Sequence, residues 1–469
     1  MLLFRTILCL GCTLCLMAQS DNAPPAPQQP QTQQAGQAET QQTTSDQEYT
    51  GPAILSRGET PAMQTAAALA FRPYIGVSGS YDTGIVPFGA TSTGGVPSSD
   101  LYGVQLNLGA YTYRVWRHTT LGLDYKGDFR HYNQASYYDG TDQFLTLILT
   151  HRPNPHVTYT LRSQVGLYSL NYFLTSALGT ADPNYLQAPQ NDIYDNRAVF
   201  AGASGDLTYN KSARLSFNLG AEGNVLRRQS TALYGFTGAT ARGDMEYRLT
   251  RHTTVGLDYH FTRFAFTRGF GDTNINSIGV DYSTRFTRHL QLSARIGGAR
   301  LESSSLALVP LDPAVAALLG VSAVIQSAHH LNYAPDIEAR LSEDFRLSSF
   351  SLSYTNNTVP GNGVYLTSKN SMGMASYSFT GLHYWNFGVD GSYSQMTSQV
   401  QTLGTYTSYG AGMGITRQIS RSLHAVVRFD ARHFNIGSAA QAGSAYRHLE
   451  YRVMAGVTFS PGDVPLVLW

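Results

Sequence analysis

From Phe71 onward, apolar and polar residues alternate along the chain with a period of two, the spacing at which side chains project to opposite faces of a β-strand. The pattern is clearest in a unit that occurs twice. Arg117-His118-Thr119-Thr120-Leu121-Gly122-Leu123-Asp124-Tyr125 returns as Arg251-His252-Thr253-Thr254-Val255-Gly256-Leu257-Asp258-Tyr259, with Leu121 exchanged for Val255 as the only difference. In each copy a polar Arg-His turn opens onto a strand. In the first copy Leu121, Leu123 and Tyr125 alternate with Gly122, Asp124 and Lys126, and Asp128 and Arg130 extend the charged row. Such a row would be costly in a soluble core. One apolar face and one wet face are the marks of a strand with lipid outside and water inside.

The alternation recurs through segments running from 71–82 to 446–459, which predicts an all-β fold. The expected architecture is a transmembrane antiparallel up-and-down β-barrel of about 18 strands, or 16 if one hairpin is miscounted. Connections alternate in length. Arg117-His118, Pro153 to Pro155, Asn210 to Ser212, Arg251-His252, Arg288-His289, Glu343-Asp344, Gly381-Leu382 and Gln418 to Ser420 are tight. Gly84 to Asp100, Asn171 to Asp195, Ser303 to His329 and Pro360 to Asn370 read as longer segments. Short turns face the periplasm in bacterial barrels, so both termini are expected there. A solenoid or propeller would show a fixed repeat, and none is visible.

The chain divides into four parts. Residues 1–20 read as a signal peptide, with Arg5, an apolar run from Ile7 to Met17 and Ala18-Gln19-Ser20 as the cleavage region. Residues 21–50 are a disordered Pro/Gln-rich periplasmic linker, 51–70 a connector, and 71–469 the outer-membrane β-barrel. Cys9, Cys12 and Cys15 are the three cysteines and all lie in the signal, which removes disulfides and Cys-ligated metal from the mature chain. The chain holds 32 Lys+Arg and 31 Asp+Glu; subtracting Arg5 leaves 31 against 31. A neutral mature chain gives no footing for nucleic acid. The 30 Tyr and 45 Gly fit a barrel with aromatic girdles.

On these patterns residues 71–469 resemble the Gram-negative outer-membrane barrels grouped as putative β-barrel porins, some of them linked to exopolysaccharide systems. The resemblance implies insertion by the barrel-assembly machinery through a terminal aromatic residue, for which Phe459 and Trp469 are the candidates. The function expected is passage of small polar solutes, saccharides among them. The alternative is an outer-membrane component of exopolysaccharide export or a surface-exposed binding barrel, with a periplasmic partner captured through residues 21–58.

Charged positions on the polar face are the pore-lining candidates: Asp124, Lys126, Asp128 and Arg130; Arg242, Asp244, Glu246 and Arg248; Asp258; Asp281 and Arg285; Arg295; Asp336, Glu338 and Arg340; Arg428, Asp430 and Arg432; Glu450 and Arg452. Their signs balance, so they serve either as cross-strand pairs or as a field for a passing solute. Catalysis, metal and cofactors find little support. His260 and His424 lie near Asp258 and Asp430 with no marked serine, and His329-His330 is an isolated pair. Gly410, Gly412 and Gly414 alternate within a strand and are expected to leave room in the lumen. Tyr111, Tyr113, Trp116, Tyr125, Tyr247, Tyr259, Tyr333, Trp385 and Tyr451 are expected as girdle or wall residues. The segment Ser303 to His329 is the most apolar connection and carries helix punctuation in Asp312, Pro313, Leu318, Leu319 and Gly320. Either it caps neighbouring loops or it folds into the mouth as a constriction.

Overall fold

The computed structural model describes residues 69–85, 99–133, 139–168, 197–231, 233–268, 271–310, 323–345, 347–361, 363, 366–382, 384–399, 405–436 and 446–461. The expected signal and linker, most of the connector, and Trp469 lie outside the described residues.

Eighteen strands follow one another: β1 (Leu69–Ile85), β2 (Ser99–Val115), β3 (Thr119–Tyr132), β4 (Gly140–Asn154), β5 (Val157–Tyr168), β6 (Ala198–Asn210), β7 (Leu215–Arg228), β8 (Gly235–Arg248), β9 (Thr253–Thr267), β10 (Asp272–Arg285), β11 (Leu290–Pro310), β12 (Ala323–Asp344), β13 (Ser348–Gly361), β14 (Leu366–Leu382), β15 (Trp385–Ser398), β16 (Thr405–Gln418), β17 (Leu423–Ile436) and β18 (Tyr446–Phe459). Each pairs antiparallel with its neighbours in sequence, and β1 closes on β18, Ile75 opposite Phe459 through Thr83 opposite Tyr451. The count is 18, not 16. Closure removes the sheet edges that lipid could not satisfy.

Alternation sorts the side chains between two environments. Leu219, Ile278, Ile296, Val389 and Met413 stand exposed on the outside, Ile296 at 67%, while Asp82 and Arg452 on the other face are 0% exposed. At the short-turn end the outer surface carries exposed Trp116, Phe286, Phe345, Tyr384, Trp385 and Phe459, an aromatic girdle of the kind that sits at a lipid headgroup layer. Phe459, one of the two assembly-signal candidates, lies in this ring.

Histidines knit the short turns together. His289 Nδ1 lies 2.7 Å from the Asp344 carbonyl while the Asp344 amide donates back to the His289 carbonyl at 3.0 Å. His156 with Asn210 and His118 with Arg152 repeat the reciprocal contact. A carbonyl can only accept, so each of these imidazoles donates through Nδ1.

Two connections differ from the sequence reading. Ser303 to His329 is largely strand: the β11–β12 ladder continues from Ser303 opposite His330 to Pro310 opposite Ala323, and only 311–322 falls outside the described residues. Its run of apolar residues lacks the in-out alternation that marks the wall strands, which is why it reads as a loop. Asp312, Pro313, Leu318, Leu319 and Gly320 lie outside the described residues. Pro360 to Asn370 is likewise no long loop, since Asn357 pairs with Asn370 and Gly361 with Leu366. Gly361 and Gly363 take positive φ values of 89° and 92° there, a conformation that glycine adopts without a Cβ clash.

Candidate functional site in the barrel interior

The β13–β14 hairpin parts from β12 while β14 stays paired with β15. Pairing between β12 and β13 ends at Ile337 opposite Asn356, so the last residues of β13 have no ladder to β12. The tip instead reaches strands four to six positions away around the barrel. The Tyr234 amide, just before β8, donates to the Gly363 carbonyl at 3.1 Å, and the Thr367 and Thr273 hydroxyls, from β14 and β10, meet at 2.8 Å. Val359, Thr367 and Ser368 are buried, Ser368 at 0% exposure. A hairpin tip buried by strands that are not its neighbours lies across the long-connection end of the barrel.

Near its landing points the inner wall is apolar. Leu226, Phe236, Phe264, Ile275 and Leu301 form a buried cluster with Ala198, Ala299 and Ala334, joined by Phe144, Phe200 and Phe266. Thr273 sits opposite Phe264 and two residues from Ile275, so the crossing hairpin lands at the edge of this collar.

One layer nearer the short turns, the collar gives way to charge. Arg295 donates to Asp258 through Nε at 2.9 Å and lies 3.4 Å from Asp336. His260 stands between the same carboxylates, Nδ1 3.5 Å from Asp258 and Nε2 3.3 Å from Asp336. Asp244 is opposite Asp258 and Asp281 opposite Arg295, which places both in this belt. Arg242 reaches Asp206 at 2.6 Å. Ser277 faces His260 across the β9–β10 ladder, yet its hydroxyl donates to Asp336. The serine hydroxyl and His260 Nε2 thus meet on the same Asp336 oxygen.

A second belt lies on the far side. Arg428 bridges Asp390 and Asp430, each at 2.9 Å. Arg452 lies 3.2 Å from Asp82 and donates to Gln105 at 2.8 Å, and Gln105 in turn donates to Asp128. Arg130 pairs with Asp142 at 2.7 Å, and Lys126 stands 3.9 Å from Asp124. Arg432 donates to Ser408 at 3.3 Å and lies opposite Glu450 in the ladder. Glu246, Arg248, Arg285, Glu338 and Arg340 alternate onto the same inward face of β8, β10 and β12.

Glycines make room for the longest of these pairs. A Cβ on Gly412 would lie 2.5 Å from Arg428 Nη2 and 2.8 Å from both Asp390 and Asp430. Gly220 and Gly279 sit in the same way beneath Asp206–Arg242 and Asp258–Arg295. The space expected at Gly412 is occupied, and by charge.

Of the aromatic residues, Tyr125, Tyr247, Tyr259, Tyr333, Trp385 and Tyr451 alternate onto the outer face, and Trp116 is exposed at its turn. Tyr111 and Tyr113 face inward, Tyr111 packing against Tyr74. His329 and His330 project to opposite faces of β12 and cannot converge on one ion.

No protein-family model matches the chain, and no curated protein matches it. Among solved structures it is similar to Pseudomonas aeruginosa OpdQ, at 12% identity over 84% of this chain and 98% of that one, with a TM-score of 0.39. It is also similar to Pseudomonas aeruginosa OccK2 in complex with glucuronate, at 13% identity over 83% and 98% with a TM-score of 0.40. Acinetobacter baumannii OccAB4 gives 9% identity over 86% and 100%, with a TM-score of 0.39.

Proposed function

We propose that this chain is a passive outer-membrane channel for small polar solutes and not an enzyme, with both termini on the periplasmic side. The observation that supports this reading best is the β13–β14 hairpin, its tip hydrogen-bonded to Tyr234 and Thr273 across the mouth. A barrel of this strand number is wide enough to hold an aqueous lumen. An element folded across that lumen turns a wide pipe into a sized passage. The paired charges below it give a solute fixed dipoles to pass between, at no cost in net charge.

In this reading lipid covers the outer face, and the barrel-assembly machinery engages the β18 end around Phe459. A periplasmic partner held through residues 21–58 would point instead to a component of polysaccharide export. The direct test is single-channel conductance in planar bilayers. Excising 358–369 and joining Asn357 to Asn370 through a short Gly-Ser link should raise conductance and admit larger solutes in liposome swelling. An assembled excision variant with unchanged conductance would remove the hairpin as the constriction.

A further inference from the structure

His260 holds its proton differently from the histidines of the short turns. Arg295 Nη2 lies 2.7 Å from His260 Nδ1. A guanidinium only donates, so Nδ1 accepts here, whereas His289, His156 and His118 donate through the same atom. The His260 proton therefore sits on Nε2, which faces Asp336 at 3.3 Å, and the ring is neutral. An imidazolium could not keep this arrangement, because its Nδ1–H would point into a guanidinium N–H.

The same Arg295 nitrogen donates to Asp258 Oδ2, the oxygen that lies 3.5 Å from His260 Nδ1. Guanidinium and imidazole thus compete for one carboxylate, and a single proton decides which of them holds it. A protonated ring has a donor on each side and a carboxylate for each, Asp258 at Nδ1 and Asp336 at Nε2. Two cations 2.7 Å apart repel, and Arg295, on its long stem, is the one with room to move.

Its alternative place is already present. Arg295 rests over Gly279, where a Cβ would come within 3.1 Å of its Nε, so no side chain pins it from below. Asp281, directly opposite Arg295 in the β10–β11 ladder, makes no hydrogen bond or ion pair among the described residues. Side chains opposed in a ladder have Cβ atoms about 4.5–5.5 Å apart, within easy reach of an arginine. On its other side Asp281 lies opposite Gly256, which leaves it uncovered there as well. The remaining neighbours do not intrude. Arg242, opposite His260 on β8, is turned to Asp206; Asp244 stands one row nearer the short turns, opposite Asp258; and His260 faces the uncharged Ser277 on β10. The His260 side chain is 22% exposed and that of Arg295 18%, so both are within reach of solvent protons.

We propose that His260 and Arg295 form a pH-operated switch on the lumen wall. With the ring neutral, the guanidinium lies across Asp258 and Asp336. With the ring protonated, the imidazolium bridges those two carboxylates and the guanidinium turns to Asp281. The belt then gains one positive charge and loses its uncovered carboxylate, so acidification lowers the preference of the passage for cations. That consequence rests on the channel reading, and the switch itself on the side-chain geometry.

Nitrogen magnetic resonance of the full chain in detergent micelles reads the switch without any need for conduction. At about pH 8 His260, identified as the imidazole in through-space contact with a guanidinium, should carry its proton on Nε2. On titration to about pH 5, across the interval in which imidazoles change charge, the Arg295 guanidinium signal should shift with the same midpoint as the ring. In His260→Gln the guanidinium signal should stay fixed. A proton on Nδ1 at the alkaline end, or a guanidinium signal that does not follow the ring, overturns the switch; both are measured in the unaltered protein and need no variant to assemble. In planar bilayers under a salt gradient, the reversal potential should move away from cation preference over the same interval. That movement should be lost in His260→Gln, with heat-modifiability confirming assembly. An equal movement in both proteins overturns the control of the passage by His260. Should the protein conduct no ions, the channel reading fails by itself, and the resonance titration still decides the switch.

Discussion

Asp206 and Arg242 are ion-paired at 2.6 Å although a whole strand, β7, runs between them. The intervening residue in their row is Gly220, opposite Asp206 on one side and Arg242 on the other. With no side chain there, the guanidinium lies flat over the backbone. Arg428 reaches Asp390 over Gly412 in the same manner. Each such bridge ties three strands where a nearest-neighbour pair ties two.

Gly412→Val should therefore break the Arg428 bridges, since its Cβ would approach Arg428 Nη2 to 2.5 Å. The expected loss is about 1–3 kcal/mol, from leaving partly buried charges unpaired, and it should appear as a lower midpoint in heat-modifiability. Gly223→Val is the control, because a Cβ there meets nothing within 4 Å. Equal midpoints for the two variants would refute the saddle role of Gly412.

The face assignment predicts a contrast between neighbouring residues. Leu257 is 47% exposed on the outer face, and Leu257→Arg should impair assembly at a cost of about 2–4 kcal/mol near the membrane midplane. Asp244→Asn, on the inner face of the adjoining strand, should assemble normally. Yields of folded barrel in outer-membrane fractions decide the matter.

His289→Ala removes the Nδ1 donor from the Asp344 carbonyl but leaves the amide contact in place. At an exposed turn the effect should sit near the low end of about 0.5–1.5 kcal/mol. The His156 clasp is distant in the ring, so the double variant should show the sum of the two shifts in unfolding midpoint. A double variant no weaker than either single one would mean the clasps do not hold the turns.

Shortening the β11–β12 hairpin by replacing 305–326 should leave conductance unchanged, in contrast to excision of the β13–β14 tip. The β11–β12 ladder runs straight through this region to Pro310 opposite Ala323, whereas the β13–β14 tip is bonded across the mouth. If the 305–326 variant conducts more and the 358–369 variant does not, the two hairpins have been assigned the wrong way round.

The strands were legible because a membrane barrel writes its structure locally: Leu121, Leu123 and Tyr125 against Asp124, Lys126 and Asp128 are enough to orient β3. The hairpin that crosses the mouth was not. Ser303 to His329 has no alternation and reads as a loop, while Pro360-Gly361-Asn362-Gly363 carries strong turn residues that hide how firmly Asn357 pairs with Asn370. Which hairpin bends inward depends on contacts between strands far apart in sequence, such as Thr273 with Thr367. The role of Gly220 was hidden for a related reason. It requires the register of three strands at once, and no single stretch contains that.

The parting of β12 from β13 at Ile337 and Asn356 also acts as a depth gauge. Above that fork neither strand has the other as a ladder partner, and backbone N–H and C=O groups without partners cannot rest in hydrocarbon. The oily layer must therefore end at or below the fork. Eight residues of tilted strand separate Ile337 from Phe345 in the girdle, a rise of about 20 Å. Lipid thickness and protein topology thus meet at one mark on the wall, and a thicker bilayer would be forced to thin against this side of the barrel.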